Sequence, residues 1–297
     1  MPLKERERLL KMRKYLLYNS YKLLKKIGYI RWINTFNNYA NIIFYHRVNN
    51  YDSNPLTTPT AVFEEMMHAV SRNYNVVSLN ALIEKIKNKK PIEPKTVVIT
   101  FDDGYRDNLL YAAPILQKYN IPATFFITSG YINTNRVFPW DEQNGANHPL
   151  MSWDEVRELV RMGFDIGSHT VNHVNLGKVS MDIARKEIIG SKEQIEDKIN
   201  KRITAISYPF GRRKCFRSVM KEIIKEAGFD SCCSGYGGKV TECSDLYNLY
   251  RISMYPNTIE LLMELDNFMT HFDGKMNINL YSSHLTSLKI VKNQVRP

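Results

Sequence analysis

The chain has 297 residues, 43% hydrophobic and 11% aromatic, the composition of a globular protein with a sizeable core. Its net charge of +11 is concentrated in residues 1–31, where ten Lys or Arg face only Glu5 and Glu7, so the ordinary remainder of +3 gives bulk basicity no weight as evidence for a nucleic-acid partner. No run approaches the ~20 apolar residues that span a bilayer and no secretory signal is visible, while Cys215, Cys232, Cys233 and Cys243 form no C-x-x-C pair, so free thiols and a cytoplasmic protein, peripheral at the membrane, are expected.

In residues 1–38, Leu9, Met12, Leu16, Leu23, Ile27 and Ile30 recur at steps of three, four or seven, which predicts a basic amphipathic helix with one apolar stripe. Such a helix can lie in an anionic membrane surface through residues 1–36, each basic residue adding about 1 kcal/mol, or it can pack on the domain with its basic face solvated. Both readings stay open. No recognition motif accompanies the charge, so nucleic acid is not an expected partner.

From residue 39 onward, extended apolar runs alternate with helical patterns. Strands are predicted at Ile42–Val48, Thr96–Phe101 and Pro122–Thr128, and again at 164–169, 203–210 and Leu249–Ser253. Helices are predicted at Phe63–Val70, Leu79–Ile86, Asn108–Lys118, Met181–Ile199 and Val219–Ala227, with Ser152 and Glu155 forming a capping box for a further helix to Met162. Strict alternation implies an α/β fold with a parallel sheet, and this many units favour a barrel over residues 39–270, followed by a tail, 271–297. Active sites of such folds sit where strands end, and His46, Asp102, His169 and Tyr208 all stand at strand ends.

Neighbouring carboxylates repel, so Asp102 and Asp103 need compensation. His169 and His173, four residues apart, supply imidazoles that with one carboxylate can hold a divalent cation, leaving the other carboxylate to take a proton from an attacking water. Two nitrogens and one oxygen accept Zn²⁺, Co²⁺, Ni²⁺ or Fe²⁺; abundance and affinity favour zinc.

Taken together, ITFDDGY, GSHTVNH and SYPFG resemble the polysaccharide deacetylase family, also called the chitooligosaccharide deacetylase homology domain, over about residues 40–255. The resemblance implies a distorted (β/α) barrel that removes acetyl groups from N-acetylated glycans with a divalent metal. It implies Asp102 as general base, Asp103, His169 and His173 as metal ligands, and the amide of Phe210 as an oxyanion donor. Some branches, resembling the biofilm-polysaccharide deacetylases, are circularly permuted; this makes His46 the expected general acid, with His284 as the alternative. The arginine that usually pairs with the base is replaced by Ser207, and Arg251 is the candidate to enter from another strand. Tyr105, Trp140 and Tyr208 are candidates to contact the sugar. The expected substrate is an N-acetylated sugar of a polysaccharide, lipid-linked or nucleotide-linked glycan. Hydrolysis of another small amide at the same site, and a non-catalytic carbohydrate-binding scaffold at a membrane, are the alternatives.

Overall fold

The structure, a computed structural model, describes residues 3–268. His284 and the tail 271–297 lie outside the described residues. Two helices come first, α1 (Leu3–Lys26) and α2 (Tyr29–Asn34), then β1 (Ala40–Tyr45) and the short pair β2 (Arg47–Val48) and β3 (Thr57–Thr58). There follow α3 (Thr60–Asn73), β4 (Asn75–Val76), α4 (Leu79–Lys87), β5 (Thr96–Phe101), α5 (Ala113–Lys118), β6 (Ala123–Ile127), α6 (Pro139–Gln143), α7 (Trp153–Arg161) and β7 (Asp165–Ser168). The order continues with α8 (Met181–Ile199), β8 (Ala205–Ser207), α9 (Met220–Glu226), β9 (Ser231–Cys233), β10 (Ile252–Ser253) and α10 (Thr258–Leu265).

The main sheet runs β10-β1-β5-β6-β7-β8-β9, with β4 paired to the start of β5, and each of these pairings is parallel. β1 and β5 are buried along their whole length, which is why they read as unbroken apolar runs. The sheet curls until its ends approach through one late segment. Leu249 pairs with Cys233 beside β9, and Ile252 and Ser253 pair with Ile43 and Phe44 of β1. These contacts are only one or two residues long, and this is the distortion in the barrel. The fold is thus the α/β barrel expected, preceded by a helix. The capping box of α7 is present, Ser152 and Glu155 each satisfying the other's backbone N–H.

The N-terminal helix docks by a different face from the stripe expected. Tyr21 and Ile30 are buried with Met263 and Phe268, joined by Leu17, Tyr18 and Leu24. Of the stripe residues only Ile30 is buried, whereas Leu9, Met12, Leu16, Leu23 and Ile27 are exposed. The reason is polar: the tyrosine face can bury rings while its hydroxyls find acceptors. Tyr21 Oη donates to Asp266 at 2.6 Å, Tyr74 Oη to the same carboxylate at 2.7 Å, and Asn34 Nδ2 at 2.9 Å. Tyr18 Oη donates to Glu260 of α10. A leucine stripe offers no such partners.

Gly167, in β7, lies against the barrel interior. A Cβ there would meet the Phe126 ring at 2.4 Å and the Ala205 carbonyl at 2.9 Å. Gly167→Ala is expected to lower stability by about 1–3 kcal/mol, read as a fall in denaturant midpoint with unchanged m-value.

Candidate metal centre and active site

The adjacent carboxylates part company where β5 ends. Asp102 continues the strand, its N–H donating to the Tyr45 carbonyl at 2.9 Å, and its side chain enters the barrel. Asp103 has φ 80, a left-handed backbone that aspartate tolerates better than most residues, and this turns its carboxylate towards the histidines.

Inside the barrel Arg251 takes Asp102 as its partner. Its Nη1 and Nη2 donate to the two carboxylate oxygens at 2.8 and 2.7 Å, a bidentate pair in which the arginine is 1% and the aspartate 3% exposed. The remaining N–H groups reach Thr100 Oγ1 at 3.1 Å, Ser207 Oγ at 2.6 Å and the Ser234 carbonyl at 2.6 Å, so all five donors are used. The guanidinium also faces the rings of Phe44 and Phe126. Burial alone would raise the Asp102 carboxyl, but the charge and hydrogen bonds of Arg251, together with His169 and His46, outweigh it and hold Asp102 below the usual carboxylate range. A serine at 207, small and hydroxylated, leaves room for a guanidinium arriving from the far side.

Asp103 Oδ1 lies 3.4 Å from His169 Nε2 and 3.4 Å from His173 Nε2. Donor atoms that share an ion at about 2.1 Å with roughly tetrahedral angles stand about 3.4 Å apart, so the spacing fits a zinc-type site. The three donor atoms all lie within 4.8 Å of one another, and Asp103 Oδ1 is buried without a hydrogen-bond partner among the described residues, as an atom reserved for a cation would be. Burial would raise the Asp103 carboxyl, but His173, His46 and His169 together outweigh it and hold Asp103 well below the carboxylate range. His169 Nδ1 stands 2.7 Å from the Ser207 carbonyl, which can only accept, so this nitrogen carries the proton and Nε2 presents its lone pair to the site. Burial pushes His169 down to about 4, which keeps it neutral near pH 7. Asp103, His169 and His173 could therefore hold a metal ion.

The loop 170–173 is held under strain. Thr170 and His173 have φ 66 and 56, and Phe210 has φ 64, all in the left-handed region. Glu187 of α8 anchors the loop by accepting from Asn172 N at 2.7 Å and Asn172 Nδ2 at 2.8 Å. The His173 ring is walled by aromatics, with Trp140 at 4.8 Å, Phe210 at 4.9 Å and Phe138 at 5.4 Å between centroids.

His46 follows β1 on the same rim. Its ring is partly exposed, yet Nδ1 is buried with no hydrogen-bond partner among the described residues. Burial lowers its pKa, opposed by Asp103 and Asp102. Its carbonyl accepts from Asn108 Nδ2 at 2.8 Å, and Asn108 opens a π-helical turn, 108–112, where an α-helix beginning at Asn108 was expected.

The three aromatics expected at the sugar part ways. Trp140 is half-buried beside His173, but Tyr105 and Tyr208 are each 1% exposed and cannot stack on a sugar ring. Their hydroxyls are needed inside. Tyr208 Oη donates to the Gly211 carbonyl at 3.0 Å, bracing the turn that carries Phe210. Tyr105 Oη accepts from Trp140 Nε1 at 3.0 Å and donates to Asp141 Oδ2 at 2.7 Å. Asp141 in turn pairs with the fully buried Arg47, which also meets Asp52 at 3.1 Å. This chain of partners, which sets Trp140 against His173, was missed from the sequence. Its one signal was an arginine placed in the apolar run IIFYHRV, since a buried guanidinium demands carboxylates.

Residues 89–232 match the polysaccharide deacetylase family. The chain is 29% identical over 217 residues to YxkH of Bacillus subtilis (strain 168), which carries that family's name, covering 72% of this chain and 71% of the relative. It is 29% identical over 189 residues to a poly-β-1,6-N-acetyl-D-glucosamine N-deacetylase of Staphylococcus aureus (strain MSSA476), covering 60% of this chain and 61%, less than two thirds, of that relative. The fold is that of the Streptococcus pyogenes deacetylase PplD, solved with acetate, with TM-score 0.65, 24% identity, and coverage of 76% of this chain and 97% of PplD.

Two outcomes follow from the geometry. Chelator-stripped protein titrated with Zn²⁺ is expected to take up a single ion and gain about 2.7 kcal/mol at a hundredfold excess over Kd, whereas Asp103→Asn and His173→Ala lose the gain. Arg251→Met strands a buried carboxylate and is expected to cost about 3–5 kcal/mol at neutral pH. A carboxyl held low in the folded state stabilises above the ordinary carboxylate range and loses that contribution as pH falls through its folded value. The gap between variant and wild type should therefore narrow on acidification, first as the unpaired carboxyl of the variant takes a proton, then as Asp102 of the wild type does.

Proposed function

We propose that this chain, a carbon–nitrogen hydrolase carrying a polysaccharide deacetylase domain, removes N-acetyl groups from a β-linked N-acetylglucosamine polymer with the help of a divalent metal. The observation that carries the reading is Asp103 Oδ1, buried, without a hydrogen-bond partner among the described residues and 3.4 Å from each of two imidazole nitrogens, beside a second carboxylate paired with Arg251. The polymer named for the staphylococcal relative, poly-β-1,6-N-acetyl-D-glucosamine, is the first substrate to consider.

Asp103, His169 and His173 would hold a divalent ion, which when bound would supply Lewis acidity to the acetyl carbonyl and to the attacking water. Asp102 accepts a proton from that water as the new carbon–oxygen bond forms, and Arg251 positions it by fixing both carboxylate oxygens. The oxyanion that develops needs a donor, and the amide of Phe210, carried on the strained turn after β8, is the candidate. His46 protonates the nitrogen as the carbon–nitrogen bond breaks, since an amide anion is too basic to leave unaided. Acetate and a free amine result. Trp140, held by Tyr105, offers an apolar wall to the acetyl methyl group or the sugar face.

Acetate release should be measured on poly-β-1,6-N-acetyl-D-glucosamine oligomers beside nucleotide-linked and lipid-linked N-acetyl sugars, with a chelator control. The polymer should be favoured and chelator should abolish release. Asp102→Asn and His46→Ala should each lower kcat by roughly 10²–10⁴ with little change in substrate binding. Near-normal turnover in His46→Ala would remove it as the acid. Failure of metal-loaded protein to release acetate from any of these substrates would sink the reading.

A further inference from the structure

Docking of the N-terminal helix by its tyrosine face leaves a second apolar stripe facing solvent. Leu9, Met12, Leu16, Leu23 and Ile27 are between 37% and 66% exposed. At 3.6 residues per turn all five fall within a strip about 60° wide, so they form one line along α1 and not scattered exceptions. The line continues through α2 and just past it with Tyr29, Trp32 and Phe36, successive rings standing 6.0 Å apart between centroids yet 45%, 62% and 71% exposed. Arg8, Arg13, Lys22 and Lys26 are exposed on either side of the strip.

We infer that this stripe docks the protein on an anionic lipid surface, with the helix lying in the plane of the headgroups. Charge selects the occupant. A second copy of the chain would bring the same +8 segment against itself, and like charges flanking both sides of a helical seam oppose pairing. Anionic headgroups meet the same cations favourably, and tryptophan and tyrosine are the residues that settle at the border of headgroup and acyl chain. Among the described residues no helix is long and apolar enough to cross a membrane, so the stripe lies on the surface.

The position of α2 sets the orientation. Arg31, Asn34 and Thr35 share the lining of one hollow with Asn73, Pro94 and Lys95, next to the residues where β4 and β5 begin. Asp102, Asp103 and His169 stand where strands end, about 20 Å away along the six residues of β5. Contact through α2 therefore leaves the catalytic rim at the end of the barrel away from the lipid. This orientation suits a glycan strand standing off the surface; it rests on the deacetylase reading, whereas the docking itself does not.

The test uses the full chain and sedimentation with vesicles of phosphatidylcholine alone or mixed with phosphatidylglycerol. Binding to the mixed vesicles, falling steeply with salt, is expected, and Leu16→Glu/Leu23→Glu should weaken it by more than roughly tenfold. Both sites are exposed, so thermal melting and acetate release from a short soluble oligomer should match wild type. No binding to mixed vesicles at low salt would overturn the proposal. A wild-type dimer in solution that the double variant turns into a monomer would also overturn it, by assigning the stripe to a second copy. Loss of acetate release in wild type with vesicle binding intact would strike the deacetylase reading alone.

Discussion

Everything at the rim where the strands end depends on how two consecutive carboxylates are kept ionised in a buried place. Alternation along β5 sends Asp102 into the barrel, where Arg251 meets it with two hydrogen bonds, and the left-handed turn at Asp103 sends the next carboxylate outward to two imidazoles. Repulsion between adjacent charges is relieved by divergence and by separate partners. The same divergence gives the two carboxylates different surroundings: one is bound by an arginine, while the other faces two imidazoles with an oxygen that has no hydrogen-bond partner among the described residues.

Such a site needs a rigid surround, and the barrel supplies it by unusual backbone. Asp103, Thr170, His173 and Phe210 all occupy left-handed conformations that L-residues adopt reluctantly. Neighbours hold two of these segments: Glu187 pins the histidine loop, and Tyr208 braces the turn that carries Phe210. The aromatic wall around His173 is likewise set from behind, through Tyr105, Asp141 and the buried Arg47. The side chains that support this site, among them Glu187, Tyr208, Tyr105, Asp141 and Arg47, are themselves buried.

The N-terminal helix shows the opposite economy of contact. One face is tied to the barrel by hydroxyls on Asp266 and Glu260, and the other is left apolar, basic and open.

By itself the sequence determined the strand and helix alternation, because hydrophobic period and caps are local, and it brought forward Asp102, Asp103, His169 and His173 because each pair lies within five residues. It also exposed a gap, Ser207 where an arginine usually stands, and offered Arg251 as a remedy. Only the tertiary structure could bring Arg251 onto a carboxylate 149 residues distant, since that contact exists solely because the segment 249–253 closes the barrel. The burial of Tyr105 and Tyr208, the Arg47 to Trp140 chain and the docked face of the first helix were likewise decided in three dimensions. In each case the groups that went inside are ones whose polar atoms found buried partners, and, the Gly211 carbonyl apart, those partners come from distant parts of the chain.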